Sequence, residues 1–152
     1  MKTPEQISGL LKTFESRYGL SLQNSKQGSE AWFQAKLGVV SASCASDAVA
    51  KIDSQTRANY IADLAAQVAT GVMEEIDSKH MAWGSEHEAG ARSMYEFQEG
   101  VEIVELPFVF KDDTFRVGIS PDGLVKKDGL YVRPIECKCP WNTMHYVRFM
   151  TD

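Results

Sequence analysis

At Gly100 the spacing of apolar residues changes from one every three or four positions to one every second position, and no all-helical or all-strand layer accommodates both. Upstream, Thr3-Pro4-Glu5-Gln6 is a capping box with proline at the first helical position, and Ile7, Leu10, Leu11, Phe14 and Tyr18 follow at helical spacing before Gly19. Ser29 predicts a short helix carrying Trp32 and Phe33 and ending at Gly38. The serine-rich turn at Ser41 and Ser43 opens another, with Val49 on its inner face. Residues 56–70 place Tyr60, Ile61, Leu64 and Val68 on one stripe before Gly71. Asp77 or Ser78 then caps a helix through Met81, Trp83, Ala91, Met94 and Phe97, closed by Gly100.

Downstream, residues 101–106, 108–110 and 115–119 are β-rich runs parted by Pro107 and Asp112-Asp113, which predicts an antiparallel meander. Gly123 and the turn Lys127-Asp128-Gly129 bracket Leu124-Val125. A last strand is predicted from about Ile135 to Cys139, since Pro134 suits only a start or an edge. Helices followed by strands, with no repeat or low-complexity linker, predict one α+β domain over residues 1–152.

Composition narrows the function classes. A chain 43% hydrophobic and 24% charged carries a real core. The start Met1-Lys2-Thr3-Pro4 lacks the apolar stretch of a secretory signal, and no apolar run approaches the roughly 20 residues that span a bilayer, so a cytoplasmic protein without membrane contact is expected. Three cysteines, Cys44, Cys137 and Cys139, read as reduced thiols; they are too few for the usual four-cysteine iron-sulfur set, and Cys137 with Cys139 alone makes no structural zinc site. The net charge of −5 is uneven: residues 74–105 hold nine acids against Lys79 and Arg92, and the rest of the chain is +2. Charge therefore neither excludes nor establishes a polyanion partner.

The chemistry concentrates in "SPDGLVKKDGLYVRPIECKCP", residues 120–140. In a strand, Glu136 and Lys138 project to one face while Ile135, Cys137 and Cys139 project to the other. Asp122 stands in a Pro-Asp-Gly turn, and a hairpin through Lys127-Asp128-Gly129 folds it back beside Glu136. Two carboxylates near 4 Å repel by roughly 4 kcal/mol at an effective dielectric near 20, a cost that a proton or a cation relieves. Oxygen ligands favour Mg²⁺ or Mn²⁺, and the lysine at the rim can hold a water or stabilise charge on a phosphate. The plainer reading of Glu-x-Lys is a solvent-facing salt bridge worth about 0–1 kcal/mol. Against it stands the whole constellation of Asp, hairpin-length gap and acid-x-base, which resembles the metal site of PD-(D/E)xK nucleases.

The resemblance extends beyond the site. "WFQAKLGVVSAS", "MAWGSEHEAGARSMYEF", "SPDGL" and "ECKCP", in this order, are similar to the phage lambda exonuclease family, also called YqaJ-type viral recombinases. Each motif is weak alone, and the four in order are specific. The resemblance implies a restriction-endonuclease-like core with N-terminal helices packed on a central mixed or antiparallel sheet. It implies a 5′→3′ exonuclease, phage or prophage encoded, that digests one strand of linear double-stranded DNA with two Mg²⁺ ions. It further implies a homotrimer that works beside a single-strand annealing protein. By position, Asp122, Glu136 and the backbone carbonyl of Cys137 match the ligands of the principal metal, and Lys138 the lysine that helps to position and deprotonate the attacking water. Glu88 matches a helical glutamate that takes the second ion. On spacing, Gly84, Glu88, Ala91 and Tyr95 share a helix face, while an exposed Glu88 paired with Arg92 at i+4 is the alternative. No histidine (His80, His87, His145) is then needed as ligand or nucleophile.

The family also holds a terminal 5′-phosphate. Lys36, Ser43 and Ser120 fall at those positions, and Trp32 matches an aromatic near the DNA end, although beside Phe33 it equally suits a core. The family has arginine where Lys36 stands, so charge is kept and the bidentate grip lost. Met144 stands at a second arginine position, with His145 and Arg148 nearby as substitutes. Family members also continue past "ECKCP" with a glutamine-bearing helix and trimer surfaces, so this chain is either naturally short or a fragment. Two readings compete with the exonuclease: a structure- or site-specific endonuclease using the same residues, and a non-catalytic DNA-binding or assembly module. Intact Asp122, Glu136 and Lys138 count against the module, because clustered acids repel DNA phosphates.

Overall fold

The computed structural model describes residues 2–73 and 79–151, with the side chains of 79–81 excepted. They fall into two compact units, one built from Met1–Glu74 and Leu106–Pro121, the other from Glu75–Glu105 and Asp122–Asp152. Helices and two three-stranded sheets, one mixed and one antiparallel, make an α+β architecture.

In the first unit, helix α1 (Pro4–Tyr18) opens on the predicted capping box: Thr3 Oγ1 accepts from Gln6 N at 3.2 Å and Gln6 Oε1 from Thr3 N at 2.9 Å. Gly19 closes it at φ 71°. Its buried face, Ile7, Leu11 and Phe14, packs on an aromatic cluster, with the Phe14 ring 4.6 Å from Phe110 and 5.3 Å from Phe115. Helix α2 (Glu30–Lys36) is capped by Ser29 as its sequence predicts. The mixed sheet has β1 (Val40–Ser41) parallel to β4 (Val117–Ile119), which pairs antiparallel with β3 (Val109–Phe110). Gly118 is obligatory in β4, because a Cβ there would lie 2.2 Å from the Phe108 ring.

Two expectations fail in this unit. The serine-rich turn opens only a 3-10 turn and the single-turn helix α3 (Ala45–Ala48), after which Val49 is exposed rather than inward. Helix α4 (Gln55–Thr70) forms, yet Ile61 and Val68 of its apolar stripe are exposed. Its buried residue is Gln67, whose Oε1 accepts from Gly38 N at 3.1 Å and whose Nε2 donates to Asp63 at 2.9 Å. A buried amide must be hydrogen-bonded, so a backbone contact fixes this face of the helix where periodicity expects packing.

In the second unit, α5 (Lys79–Glu99) runs to Gly100, which adopts φ 62°. Its predicted cap, Asp77 or Ser78, lies outside the described residues. An antiparallel sheet follows in the order β2 (Glu102–Val104), β5 (Gly123–Lys127), β6 (Leu130–Ile135), and then α6 (Thr143–Thr151). The meander is thus corrected: β2 skips β3 and β4 to pair with β5, with Ile103 opposite Val125. Asp128 and Gly129 make the predicted β5–β6 turn, at φ 51° and 73°. Pro134 sits in β6, at the sheet edge where its missing N–H costs no ladder bond.

Candidate active site

Strand β6 ends at Ile135, where the sequence pattern expects a strand to begin, and Asp122 is the reason. Asp122 N donates to Ile135 O at 3.2 Å, and Asp122 Oδ2 accepts from Cys137 N at 2.5 Å. The amide that would extend a ladder goes to a carboxylate instead, so residues 136–140 follow as irregular chain. Side-chain alternation survives the loss of the strand: Ile135, Cys137 and Cys139 are half-buried, while Glu136 and Lys138 are exposed on the other side. The Pro-Asp-Gly segment is not a turn in the expected sense. Gly123 begins β5, and glycine is required because a Cβ would meet Ile103 at 2.4 Å.

Lys138 Nζ pairs with Glu136 Oε1 at 2.5 Å, their side chains 56% and 60% exposed. The plainer sequence reading, a surface salt bridge, therefore describes this pair as it stands, and such a pair adds about 0–1 kcal/mol. The lysine is nonetheless held in a wider field: its hydrogen bond to Glu136 pushes its pKa up, with Asp122 and Glu88 adding to the effect.

Glu88 reaches the same field from α5. The half-buried residues of that helix include Gly84, His87, Glu88, Ala91, Arg92, Tyr95 and Glu96, so its packed face is the polar one. Trp83, Met94 and Phe97, expected inside, are exposed. Gly84 leaves room for the carboxylate, since a Cβ there would come only within 3.9 Å of Glu88 Oε1. Burial raises the Glu88 pKa, Asp122, Glu136 and Glu105 raise it further, and Arg92 opposes them. Three carboxylates from a helix, a strand start and a strand end are thus electrostatically coupled. Polar contacts align α5 with the sheet: Glu96 Oε1 accepts from Ile103 N at 2.7 Å, and Arg133 hydrogen-bonds Tyr95 Oη.

Arg92 carries more than the sequence reading gives it. Instead of an exposed partner of Glu88, it is 13% exposed, with NH1 donating to Asp122 O at 3.3 Å and NH2 pairing with Glu105 Oε2 at 3.0 Å. Glu105 likewise goes unnoticed in the sequence. The available signal is the position of Arg92 one turn beyond Glu88 on the polar face.

Among the described residues, no three His, Cys, Asp or Glu side chains stand as a ready metal cage. Asp122 is engaged by Cys137 N–H, Glu136 by Lys138, and Glu88 lies 3.9 Å from Arg92. The donor chemistry still fits a hard divalent cation: three coupled carboxylates whose mutual repulsion raises Glu88, and no soft thiolate. Burial and Asp122 push the Cys137 thiol up, which keeps it protonated.

The residues expected at a 5′-phosphate divide between the units. In the first, Lys36 Nζ lies 3.8 Å from the centre of the Trp32 ring, and burial lowers its pKa. Trp32 Nε1 donates to Ser120 Oγ at 2.8 Å and to Pro107 O at 2.9 Å, and Ser120 Oγ donates to Pro107 O at 3.1 Å. Ser43 Oγ bonds Ser41 Oγ at 2.8 Å. Arg148, Met144 and His145 lie on α6 in the second unit. His87 stacks on Trp83 at 3.8 Å, and the His80 side chain lies outside the described residues.

Known proteins share this arrangement of chain. A family model for a YqaJ-like viral recombinase domain matches residues 31–150. The crystal structure of an alkaline exonuclease, LHK-Exo from Laribacter hongkongensis, matches with a TM-score of 0.65 at 36% identity, covering 80% of this chain and 58% of that one. LHK-Exo in complex with dAMP matches at 37% identity with the same TM-score of 0.65, again over 80% of this chain and 58% of that one. The chain thus spans less than two thirds of the exonuclease it resembles. No curated protein matches it.

Proposed function

We propose a function from one premise: the chain belongs to the YqaJ-like viral recombinase domain family. It is a Mg²⁺-dependent exonuclease that degrades one strand of linear double-stranded DNA from the 5′ end, in phage-type recombination in the bacterial cytoplasm. Supporting it is the coupling of Glu88 to Asp122 and Glu136 beside the acid-x-lysine pair. A relative bound to dAMP adds support, because a deoxynucleoside monophosphate is what a DNA exonuclease releases.

In this reading Asp122, Glu136 and the Cys137 carbonyl hold one divalent ion and Glu88 a second. Bound there, such ions neutralise the phosphate and lower the pKa of water. Lys138, its pKa raised by Glu136, is an ammonium at neutral pH. It therefore orients water and stabilises negative charge on the phosphate oxygen, and accepts no proton while the Glu136 contact lasts. Lys36, backed by the Trp32 ring, supplies the cation for the terminal 5′-phosphate. A homotrimer and a single-strand annealing protein beside it belong to the same proposal.

The test incubates the protein and Mg²⁺ with linear duplex carrying a 5′-phosphate, and with covalently closed circular DNA. Expected is release of mononucleotides and single strands from the linear substrate alone, abolished by chelator and by Asp122→Asn. Digestion that survives either treatment rejects the mechanism. Cutting of the closed circle replaces the exonuclease by an endonuclease using the same residues.

A further inference from the structure

Arg92 is the cation that ties the acid cluster to the main chain. Its side chain is 13% exposed, so its charge must be met by fixed partners, and three segments meet it. NH2 pairs with Glu105 Oε2 at 3.0 Å, just after β2. NH1 lies 3.9 Å from Glu88 Oε2 on α5 and donates to the main-chain oxygen of Asp122 at 3.3 Å, just before β5. The contact at Asp122 is to the backbone, while its carboxylate oxygen Oδ2 takes the Cys137 amide. Arg92 thus fixes where Asp122 sits without occupying its side chain.

We infer that Arg92 is a positioning residue whose planar fork holds the main chain of Asp122 against Glu88, and so sets the spacing of the carboxylates that take the divalent cation. The inference rests on the nuclease reading and deepens it. Two physical effects of Arg92 on cation binding have opposite signs, which makes the role testable. As a positive charge beside the acids, Arg92 repels an incoming cation, and on charge alone its removal tightens binding. As a fork bridging a carboxylate and a carbonyl from two elements, its removal lets the acids drift apart and weakens binding. Lysine keeps the charge and loses the fork.

The experiment titrates Mn²⁺ into DNA-free protein by calorimetry, comparing the unsubstituted chain with Arg92→Ala, Arg92→Lys and Asp122→Asn, each checked for fold by circular dichroism. Expected is a loss of Mn²⁺ affinity of about tenfold or more in both Arg92 variants, the scale seen when residues orienting metal ligands are removed. Affinity in Arg92→Ala equal to or tighter than that of the unsubstituted protein overturns the inference, as does full affinity in Arg92→Lys. Should Arg92→Ala not fold, Arg92→Lys decides on the same criterion. The nuclease reading itself fails by a different result: no Mn²⁺ binding by the unsubstituted protein, or binding left intact in Asp122→Asn.

Discussion

The two units of the chain are held together by different physics. Among the described residues, the first unit owns every buried hydrophobic side chain, from Ile7, Leu11 and Phe14 to Phe108, Phe110 and Phe115, except Leu124 and Val125 of β5. The second unit has that small core and, in place of a larger one, directed polar contacts from α5: Glu96 to Ile103 N, Arg92 to Asp122 O, Arg133 to Tyr95. Apolar burial is non-directional and tolerates small shifts, whereas a hydrogen bond weakens steeply once its angle is lost. Contacts of the second kind hold a fixed geometry, and they sit in the unit where Glu88, Asp122 and Glu136 are electrostatically coupled.

The sharpest way to break this contrast is to separate chemistry from stability. Lys138→Ala removes an exposed side chain, so its cost in stability is expected within about 0–1 kcal/mol. The hydrolysis rate is expected to fall by about 10²- to 10³-fold, the range for removing one preorganised donor that stabilises developing negative charge. A large fall in thermal midpoint with the rate preserved would make Lys138 a structural residue. Phe110→Ala is the mirror experiment. Fully buried among Phe14, Phe108 and Phe115, it is expected to cost about 3–5 kcal/mol in urea unfolding, with the rate per folded molecule unchanged. Loss of less than about 1 kcal/mol would deny the first unit its aromatic core.

Legibility in the sequence divides along the same line. The caps at Thr3 and Ser29, the stops at Gly19 and Gly100 and the Asp128-Gly129 turn are local devices, written in a few adjacent residues, and each is where its pattern predicts it. Elements decided by distant partners are not readable this way. Strand β2 pairs with β5 across 18 intervening residues, 16 of them in the other unit; nothing in residues 102–104 specifies that, and so a meander of neighbours is expected instead. The end of β6 at Ile135 depends on a carboxylate 15 positions away capturing the Cys137 amide. Periodicity also misleads on α5, because a helix that docks through Glu88, Arg92 and Glu96 leaves its apolar residues outside. The proposed site residues Glu88, Asp122, Glu136 and Lys138 are picked out by motif, while Arg92 emerges only when its three contacts are seen together.

Acid clustering in the second unit also predicts a pH signature of smaller size. The Glu88 pKa is raised by burial and by Asp122. The folded chain therefore binds this proton more readily than the unfolded chain, so the group's contribution to stability is full below its unfolded pKa and is lost as pH rises through the folded value. Glu88→Gln cannot ionise and is expected to exceed the unsubstituted protein in stability at neutral pH, with the advantage shrinking as pH falls through the carboxylate range. Urea midpoints measured from pH 4 to pH 8 without metal decide it; a variant less stable at neutral pH means that the pairing of Glu88 with Arg92 outweighs the repulsion.

The smallest effect separates scaffold from ligand in the first unit. Ser120 has one hydroxyl proton, and it goes to Pro107 O at 3.1 Å; the oxygen accepts from Trp32 Nε1 at 2.8 Å. A phosphate is an acceptor and needs a donor, so this hydroxyl has none left to give while the contact to Pro107 lasts. Ser120→Ala leaves the indole N–H its bond to Pro107 O at 2.9 Å, which limits the expected loss of stability to about 0.5–1.5 kcal/mol. The preference for 5′-phosphate over 5′-hydroxyl ends is expected to persist in Ser120→Ala and to fall about tenfold or more in Lys36→Ala, where a charged donor worth about 1.5–3 kcal/mol is removed. An equal fall in both variants would mean that the hydroxyl turns from Pro107 to the phosphate when DNA binds, and that the first unit, too, places its polar groups for chemistry.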